Sequence, residues 1–272
     1  MKTVLITGCS SGIGLDAARH MRTRGWRVIA TCRKPEDLAA RRDEGFDAIH
    51  LELSDEDNVA RAADEALALG RIDALVNNAA FAIPGAAEDL PRGALRSIFE
   101  ANLFGTHDLT RRLLPQFREH GGRVVNISSV LGLVGIPWRG AYVATKFALE
   151  GLTDVMRVEM ADTPVKFILI EPGPIGTRIR LNSIPHFEAW IDWRSSPRAE
   201  QYRRVLLKRL YEPGAKKDRF ELPPAAVSAR IAQALESPNP RPRYYVTTPT
   251  HVSGIGRRLL STRALDWFAR RS

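Results

Sequence analysis

Short β-branched runs alternate with longer segments of helical period along most of this 272-residue chain. The pattern predicts strands at 2–7, 27–31, 47–51, 72–76, 122–127, 164–170 and 243–247. It predicts helices at 12–24, 35–43, 55–69, 93–118, 140–161 and 223–236. Strands that alternate with helices form βαβ units with right-handed crossovers. We therefore expect an α/β fold: one Rossmann-type domain over 1–272, with a doubly wound parallel sheet of about seven strands and helices on both faces.

The composition excludes several classes of protein. With 44% hydrophobic and 26% charged residues, the chain is typical of a globular protein and not of a disordered one. It contains no apolar run long enough to span a membrane, and its first residues lack the apolar region of a signal peptide, so we expect a cytoplasmic protein. Cys9 and Cys32 are the only cysteines and show no metal-ligand spacing, so neither a disulfide nor a metal site is expected.

Two segments depart from the regular alternation. Residues 174–222 form a long polar stretch with several prolines, and such loops are uncommon unless they are functional or carry helices of their own. Residues 255–272 predict a terminal helix that is only partly amphipathic. The aromatic residues of the first segment either line an apolar ligand pocket or pack that segment onto the sheet. They are Phe187, Trp190, Trp193, Tyr202, Tyr211 and Phe220.

A glycine-rich turn, TGCSSGIG over 7–14, follows the first predicted strand and opens the first predicted helix. Glycines permit a tight turn and a close approach of the backbone, and a helix N-terminus offers free N–H groups to a pyrophosphate. A plain strand-to-helix turn is the alternative, and the position after the first strand favours phosphate binding.

The end of the second predicted strand bears on the choice of cofactor. An acidic residue there would bind the ribose 2′-hydroxyl of NAD, whereas a basic residue accommodates the 2′-phosphate of NADP. Here Cys32 takes the place of the acid and Arg33 follows it. We therefore expect NADP(H), with a merely solvated Arg33 as the alternative.

Tyr142 and Lys146 lie four residues apart within a predicted helix, so both side chains fall on one helix face. A free phenol has a pKa of about 10, so acid–base chemistry at neutral pH requires a nearby cation. Ser129 follows the fifth predicted strand, at the edge of the sheet where ligands bind in open α/β folds. Asn78 follows the fourth strand, and Asn102 lies on the long helix after it.

Together these motifs resemble the short-chain dehydrogenase/reductase family over nearly the whole chain. Its T-G-x-x-x-G-x-G turn is matched by 7–14, its N-N-A-G by 77–80 and its P-G motif by 172–177. The resemblance implies the catalytic residues Asn102, Ser129, Tyr142 and Lys146. It implies a cofactor site of Gly8, Ser10, Ser11, Gly12, Ile13, Gly14, Arg33, Glu52, Leu53, Asn78, Ala79, Tyr142, Lys146, Pro172, Gly173, Ile175 and Thr177.

Two residues depart from the family pattern. Ala80 replaces the glycine of N-N-A-G and adds a Cβ, which we expect the following loop to tolerate. Glu52 stands where the family commonly has an aspartate that contacts adenine, whereas Leu53 still offers its backbone. Neither change touches the catalytic residues.

The resemblance implies that NADPH delivers hydride to a carbonyl carbon while Tyr142 donates a proton to the oxygen, with alcohol oxidation as the reverse reaction. Lys146 would lower the pKa of Tyr142 and hold the nicotinamide ribose. Ser129 would hydrogen-bond the carbonyl, and Asn102 would hold a water that links Lys146 to solvent.

Within the family, the segments TGCSSGIG, ATCRKPEDL and EPGPIGT resemble 17β-hydroxysteroid and retinol dehydrogenases and bacterial NADP-dependent aldehyde reductases. A hydrophobic aldehyde or ketone is the expected substrate, and a hydroxysteroid or retinol-like alcohol is the alternative. An NADP(H)-sensing regulatory protein is the alternative of another class. The family also implies a homodimer or homotetramer, formed through the helices that carry Asn102 and Tyr142.

The net charge of +9 is concentrated in two segments. Residues 1–173 hold 21 Lys plus Arg against 23 Asp plus Glu, whereas 174–222 hold 11 against 6 and 254–272 hold 5 against 1. This distribution and the lack of a recognition motif argue against a nucleic-acid partner. The two segments form either a basic surface for anionic membranes or an oligomer contact or solvated face. The imperfect apolar stripe favours the second interpretation.

Overall fold

A single parallel sheet forms the centre of the protein in the computed structural model, which describes residues 1–212 and 218–270. Its strands lie in the order β3-β2-β1-β4-β5-β6-β7, and every neighbouring pair is parallel. The strands are β1 (Thr3–Ile6), β2 (Arg27–Cys32), β3 (Asp47–His50), β4 (Ala74–Asn77), β5 (Gly122–Ile127), β6 (Val165–Glu171) and β7 (Arg243–Tyr245). The predicted α/β fold and its strands are confirmed.

Helices cover both faces of this sheet. The main ones are α1 (Gly12–Thr23), α2 (Pro35–Asp43), α3 (Glu56–Ala68), α4 (Arg92–Phe99), α5 (Thr106–His120), α6 (Gly140–Glu159) and α11 (Ala225–Glu236). Alternate strand residues point to opposite faces. Val4 and Val28 therefore pack with α1, α2 and α11, whereas Leu5 and Ile29 pack with α3, α5 and α6.

The predicted helix over 93–118 is not continuous. A π-helical turn at Glu100–Gly105 separates α4 from α5. Such turns insert an extra residue and are frequent at functional sites. Here the turn brings Gly105 so close to the segment after β3 that a Cβ on it would lie 1.8 Å from the Leu53 carbonyl oxygen. This close approach depends on packing between distant residues, so a helical sequence period does not reveal it.

The segment over 174–222 carries helices of its own as far as the structure describes it, and residues 213–217 lie outside the described part. The helices are α7 (Ile179–Asn182), α8 (Ile184–Trp190), α9 (Ala199–Gln201) and α10 (Lys208–Tyr211), with a π-helical turn at Tyr202–Leu207. We call this segment the lid.

The aromatic residues of the lid divide between the two predicted roles. Phe187 and Tyr202 are fully buried and pack the lid onto the body, whereas Tyr211 and Phe220 are about half exposed. The Tyr202 hydroxyl donates to the Asp89 carboxylate (2.7 Å) and accepts from the Ala86 N–H (2.8 Å). Packing is therefore the role of the largest buried aromatics.

The predicted terminal helix over 255–272 is wrong in its bounds. The chain forms α12 (Thr248–Leu259) and α13 (Thr262–Ala269), and residues 271–272 lie outside the described part. The break arises because Leu260 is extended and the Ser261 hydroxyl caps α13 by accepting from the Ala264 N–H (3.4 Å). Among the described residues, no helix combines the length and the apolar character needed to cross a membrane.

Candidate active site

The glycine-rich turn after β1 takes a shape that side chains would obstruct. Gly8 and Gly12 have φ values of +74° and +59°, which favour glycine. A Cβ on Gly14 would lie 2.2 Å from the Gly8 carbonyl oxygen. The turn can therefore close tightly at the start of α1, with Ser10 exposed and Ile13 partly exposed beside it.

The N-terminus of α1 offers donors to an anion. Ser11 precedes the helix in an extended conformation, and its side chain makes no capping hydrogen bond. The first N–H groups of a helix have no partner within the helix. Together with the tight turn, these donors fit the pyrophosphate of a dinucleotide.

Arg41 on α2 contacts the glycine-rich turn, and the sequence interpretation missed it. Its buried guanidinium donates from Nη1 to the Cys9 carbonyl (3.0 Å) and pairs with Glu44 (2.5 Å). Its Nε is buried without a hydrogen-bond partner. Because α2 brings it back from 32 residues away, no local motif points to it.

The N-N-A-A segment after β4 locks against the same turn. The Asn78 side chain donates to the Thr7 carbonyl (2.8 Å), while the Asn78 and Ala79 N–H groups both donate to the Thr7 hydroxyl (2.9 Å each). Ala80 does not have a positive φ, which among the described residues occurs outside glycine only at Trp138. The alanine that replaces the family's glycine is therefore accommodated without backbone strain.

At the end of β2, the side chain of Cys32 is buried in the core, whereas that of Arg33 is 58% exposed. Burial raises the pKa of the Cys32 thiol to about 11, so this residue stays neutral. Arg33 lies 3.6 Å from the Glu52 carboxylate, which also accepts from the Ser54 N–H and hydroxyl. Glu52 is thus engaged with its own turn and with Arg33, while Leu53 is buried beneath it.

The P-G motif after β6 approaches this turn from the other side of the cleft. The Pro172 carbonyl accepts from the Val130 N–H (2.7 Å), which ties the motif to the segment after β5. A Cβ on Gly173 would lie 2.0 Å from the Thr247 hydroxyl, so only glycine fits there.

Thr177 extends over the glycine-rich turn, where a Cβ on Gly12 would meet the Thr177 Cγ2 atom at 3.3 Å. Ile175 forms an isolated β-bridge with Leu222.

Tyr142 lies in the first turn of α6, buried within an apolar cluster that includes lid residues. Burial raises the pKa of its phenol above the usual range, and a hydrogen bond with Ser129 acts in the opposite direction. The phenol is therefore protonated at neutral pH. Ser129 itself begins a short 3₁₀ turn, where its hydroxyl accepts from the Leu131 N–H (3.1 Å).

Lys146 lies one turn further along α6 and is also buried. Its ammonium group lies 5.4 Å from the centroid of the Tyr142 ring and donates to the Ile127 carbonyl at the end of β5 (2.8 Å). Burial lowers the pKa of Lys146 to about 8, and the Glu150 carboxylate acts in the opposite direction. The shifts of the Tyr142 pKa come from burial, which raises it, and from Ser129, which lowers it, whereas the lowering expected from Lys146 stays a prediction.

Asn102 lies in the π-helical turn and is buried. Its side chain accepts from the Phe81 N–H (3.1 Å) and donates to the Phe81 carbonyl (2.9 Å) and to the Thr145 hydroxyl (3.3 Å). Thr145 lies between Tyr142 and Lys146 on α6. Asn102 therefore fixes α6 relative to the segment that follows β4.

A buried charge network that the sequence interpretation missed lies beneath Lys146. Arg243 on β7 pairs with Glu150 on α6, with Glu171 at the end of β6 (2.7 Å) and with Asp154 (2.6 Å). Burial raises the pKa of Glu171 to about 8, with the Glu150 carboxylate adding to the effect. The four-residue spacing of Lys146 and Glu150 was visible in the sequence, but the partner of Glu150 on β7 was not.

The chain is similar to known oxidoreductases over most of its length. The family model for short chain dehydrogenases matches residues 2–186. The uncharacterized oxidoreductase YbbO of Escherichia coli (strain K12) is 40% identical over 268 residues, 97% of this chain and 93% of that protein. The 17-beta-hydroxysteroid dehydrogenase type 1 of Homo sapiens is 33% identical over 259 residues, 90% of this chain and 77% of that protein. A short chain dehydrogenase from Burkholderia cenocepacia J2315, solved in complex with NADP, has a TM-score of 0.75 at 25% identity and covers 99% of each chain.

Proposed function

The chain belongs to the short chain dehydrogenase family of oxidoreductases, and we propose that it reduces a hydrophobic aldehyde or ketone with NADPH. The observation that carries this proposal is the buried, protonated Tyr142 beside Ser129 and Lys146. A phenol whose pKa is raised keeps its proton at neutral pH and can give it to a carbonyl oxygen. The protonated phenol therefore supports the reduction of a carbonyl over the oxidation of an alcohol.

Three residues, Ser129, Tyr142 and Lys146, each have one part in this reaction. When bound, NADPH supplies the hydride that reaches the carbonyl carbon. Ser129 donates a hydrogen bond to the carbonyl oxygen and stabilises its developing charge. Tyr142 donates the proton, which yields the alcohol, and Lys146 holds the nicotinamide ribose.

A nicotinamide cofactor is supported by the glycine-rich turn and by the relative solved with NADP. We propose NADP(H) in preference to NAD(H), because Arg33 is the exposed residue at the end of β2 and Cys32 is buried. The buried Arg41 beside Ser10 adds a second guanidinium to this end of the cleft. Although Glu52 and Glu44 pair with these two guanidiniums, no acid occupies the end of β2 itself, and this favours a 2′-phosphate.

An apolar substrate is supported by the surroundings of Tyr142. The phenol belongs to a cluster of buried apolar residues from the body and the lid. Its buried members include Ile83, Ala141, Phe187, Ile191, Tyr202, Leu206 and Leu210. The similarity to a 17-beta-hydroxysteroid dehydrogenase favours a hydroxysteroid or retinol-like alcohol as the second candidate.

Tyr142→Phe tests the assignment of the proton donor. Loss of general acid catalysis costs about 10²- to 10⁴-fold in rate. We expect NADPH consumption with aldehydes, ketones and hydroxysteroids of graded length to fall by at least this factor, whereas NADPH binding stays nearly intact. Tyr211→Phe removes an exposed lid hydroxyl and is the matched control.

The same screen separates the enzyme from a sensor. A wild-type protein that binds NADPH but consumes none with the whole carbonyl panel would favour an NADP(H)-sensing regulatory protein. Full activity of Tyr142→Phe would contradict the catalytic assignment directly.

A further inference from the structure

Trp138 has a backbone conformation that side chains rarely adopt. Its φ is +66°, and no other described residue apart from glycines has a positive φ. In this left-handed region the Cβ lies too close to a carbonyl oxygen, so the conformation persists only where the surrounding structure holds it. Trp138 lies four residues before Tyr142 and just before α6 begins at Gly140. The strained residue therefore stands at the start of the helix that carries the proposed proton donor.

The body holds the backbone around Trp138. The Trp138 carbonyl accepts from the Gly85 N–H (3.1 Å) and, at longer range, from the Arg139 guanidinium (3.4 Å). Arg139 also forms a parallel β-bridge with Gly85. A Cβ on Gly140 would lie 3.3 Å from the Ala87 Cβ, so the first turn of α6 packs closely there. These contacts tie the start of α6 to the segment that follows β4.

The ring of Trp138 contacts the lid. Its centroid lies 4.8 Å from that of the Tyr202 ring, and the two planes meet at 62°, which is the edge-to-face arrangement that aromatic pairs favour. The Tyr202 ring is fully buried, and its hydroxyl is bonded to Ala86 and to the Asp89 carboxylate. The Ser196 hydroxyl of the lid donates to the same Asp89 oxygen (2.8 Å). Trp138 therefore meets a ring that is itself fixed in place.

Gly85 joins the two sets of contacts. A Cβ on Gly85 would lie 3.1 Å from the Ile191 Cδ1 atom and 3.5 Å from the Tyr202 hydroxyl, and both of these residues belong to the lid. The backbone that pairs with Trp138 thus packs directly against the lid. Trp138 also packs against the buried apolar cluster that contains Tyr142 and Tyr202. Docking of the lid and the backbone before Tyr142 are therefore linked through Gly85 and through the Trp138 ring.

We propose that Trp138 is a positioning residue for Tyr142, which holds the first turn of α6 in place through the contact of its ring with Tyr202 of the lid. This inference rests on the proposed function, since it concerns the same proton donor. A general acid must lie within hydrogen-bond reach of the atom that it protonates, and a displacement of about 1 Å can cost about 100-fold in rate. Trp138 acts through Tyr142 and not on the reacting atoms.

Trp138→Gly and Trp138→Phe separate positioning from support of the fold. Glycine accepts a positive φ, so Trp138→Gly removes the ring without adding strain. We expect kcat of Trp138→Gly with the best aldehyde or ketone to fall by about 10- to 100-fold, while KM and the Kd of NADPH stay nearly unchanged. Trp138→Phe keeps an aromatic ring against Tyr202 and should restore most of the activity.

Tyr202→Phe is a second variant that leaves Trp138 itself unchanged. It removes only the hydroxyl that holds the Tyr202 ring to Ala86 and Asp89. We expect kcat to fall in the same direction as in Trp138→Gly, because the ring that Trp138 contacts is then less firmly held. This variant tests the inference even where Trp138→Gly folds poorly.

Trp26→Leu is the control. Trp26 is a buried tryptophan that precedes β2, at the edge of the sheet opposite to the edge where Ser129 lies. It should lower the urea midpoint of unfolding and leave kcat of the folded enzyme unchanged.

Two results with Trp138→Gly overturn the inference and leave the proposed function intact. One is a loss of stability with kcat unchanged, which is the result expected of a purely structural residue. The other is a change confined to KM, which would make Trp138 a substrate contact. A wild-type protein that consumes no NADPH with any carbonyl overturns the proposed function, and the inference with it.

Discussion

Cys32 and Arg33 show how one residue step at a strand end changes what a site can bind. Successive strand residues point to opposite sides, so the Cys32 thiol packs into the core while Arg33 is exposed beside Glu52. The sequence interpretation assigned Cys32 to the place of the acid that would bind NAD. Since the Cys32 side chain is buried, Arg33 is the polar group that this strand end presents to a cofactor.

Arg33→Asp should shift the cofactor preference. We expect the ratio of kcat/KM for NADPH to that for NADH to fall by about 10- to 100-fold, because a charge-assisted hydrogen bond is replaced by repulsion. The measurement uses one aldehyde with both cofactors. Arg61→Asp on α3 is a control of the same charge change at another exposed position. A wild-type enzyme that prefers NADH, or a ratio that the substitution leaves unchanged, contradicts the role of Arg33.

Helix α6 carries the proposed catalytic residues and a buried structural carboxyl group on one face. Tyr142, Lys146 and Glu150 follow one another at four-residue intervals, and all three are buried. Glu150 is neutralised through Arg243 on β7, which also pairs with Glu171 at the end of β6. The charge network thus joins α6 to the end of β6, which the P-G motif follows.

Arg243→Met should destabilise the fold by about 3–5 kcal/mol, because it leaves buried carboxyl groups without their counter-charge. The loss should grow as pH rises from about 7 to about 9. Arg243 lowers the pKa of Glu171, so the variant keeps the Glu171 proton through a window in which the wild type releases it, and the free energy of unfolding of the variant falls more steeply there. Urea unfolding at both pH values measures the effect. Arg230→Met, at an exposed position, is the control, and equal losses at both pH values would contradict this account.

At the scale of the whole molecule, three exposed apolar residues lie on or beside the helices that carry Asn102 and Tyr142. Phe104 in the π-helical turn and Val155 and Val158 on α6 are 52%, 52% and 70% exposed. They lie on the helices through which the family resemblance implies a homodimer or homotetramer. We propose this face as the principal contact between copies of the chain.

The C-terminal helices present a second exposed surface. Val252, Ile255, Leu259 and Leu260 are exposed there, but Arg257 is held to the body, where its guanidinium lies 4.7 Å from the Phe147 ring centroid and donates to the Gly132 carbonyl (3.1 Å). Because Arg257 ties α12 to the body, an oligomer contact or a solvated face is favoured over a membrane anchor.

Light scattering after size exclusion tests the proposed contact at Val155 and Val158. We expect the wild type to be a homo-oligomer, and Val155→Glu with Val158→Glu to shift it to monomer, because paired charges do not tolerate burial in an apolar contact. Val205→Glu on the lid is the control.

Co-sedimentation with anionic liposomes tests the surface of the C-terminal helices. The full chain and 1–253 should behave alike. Liposome binding that is lost in 1–253 supports the membrane interpretation instead. In light scattering, a monomeric wild type contradicts the proposed contact at Val155 and Val158.

Local patterns were enough for the strands, most helices, the glycine-rich turn and the Tyr142–Lys146 spacing, because each is set by neighbours in the chain. Packing between distant segments determined the rest. The π-helical turn packs against the segment after β3, and the Arg243 network joins residues about 90 positions apart. Burial and electrostatic contact depend on tertiary proximity, which no sequence period records.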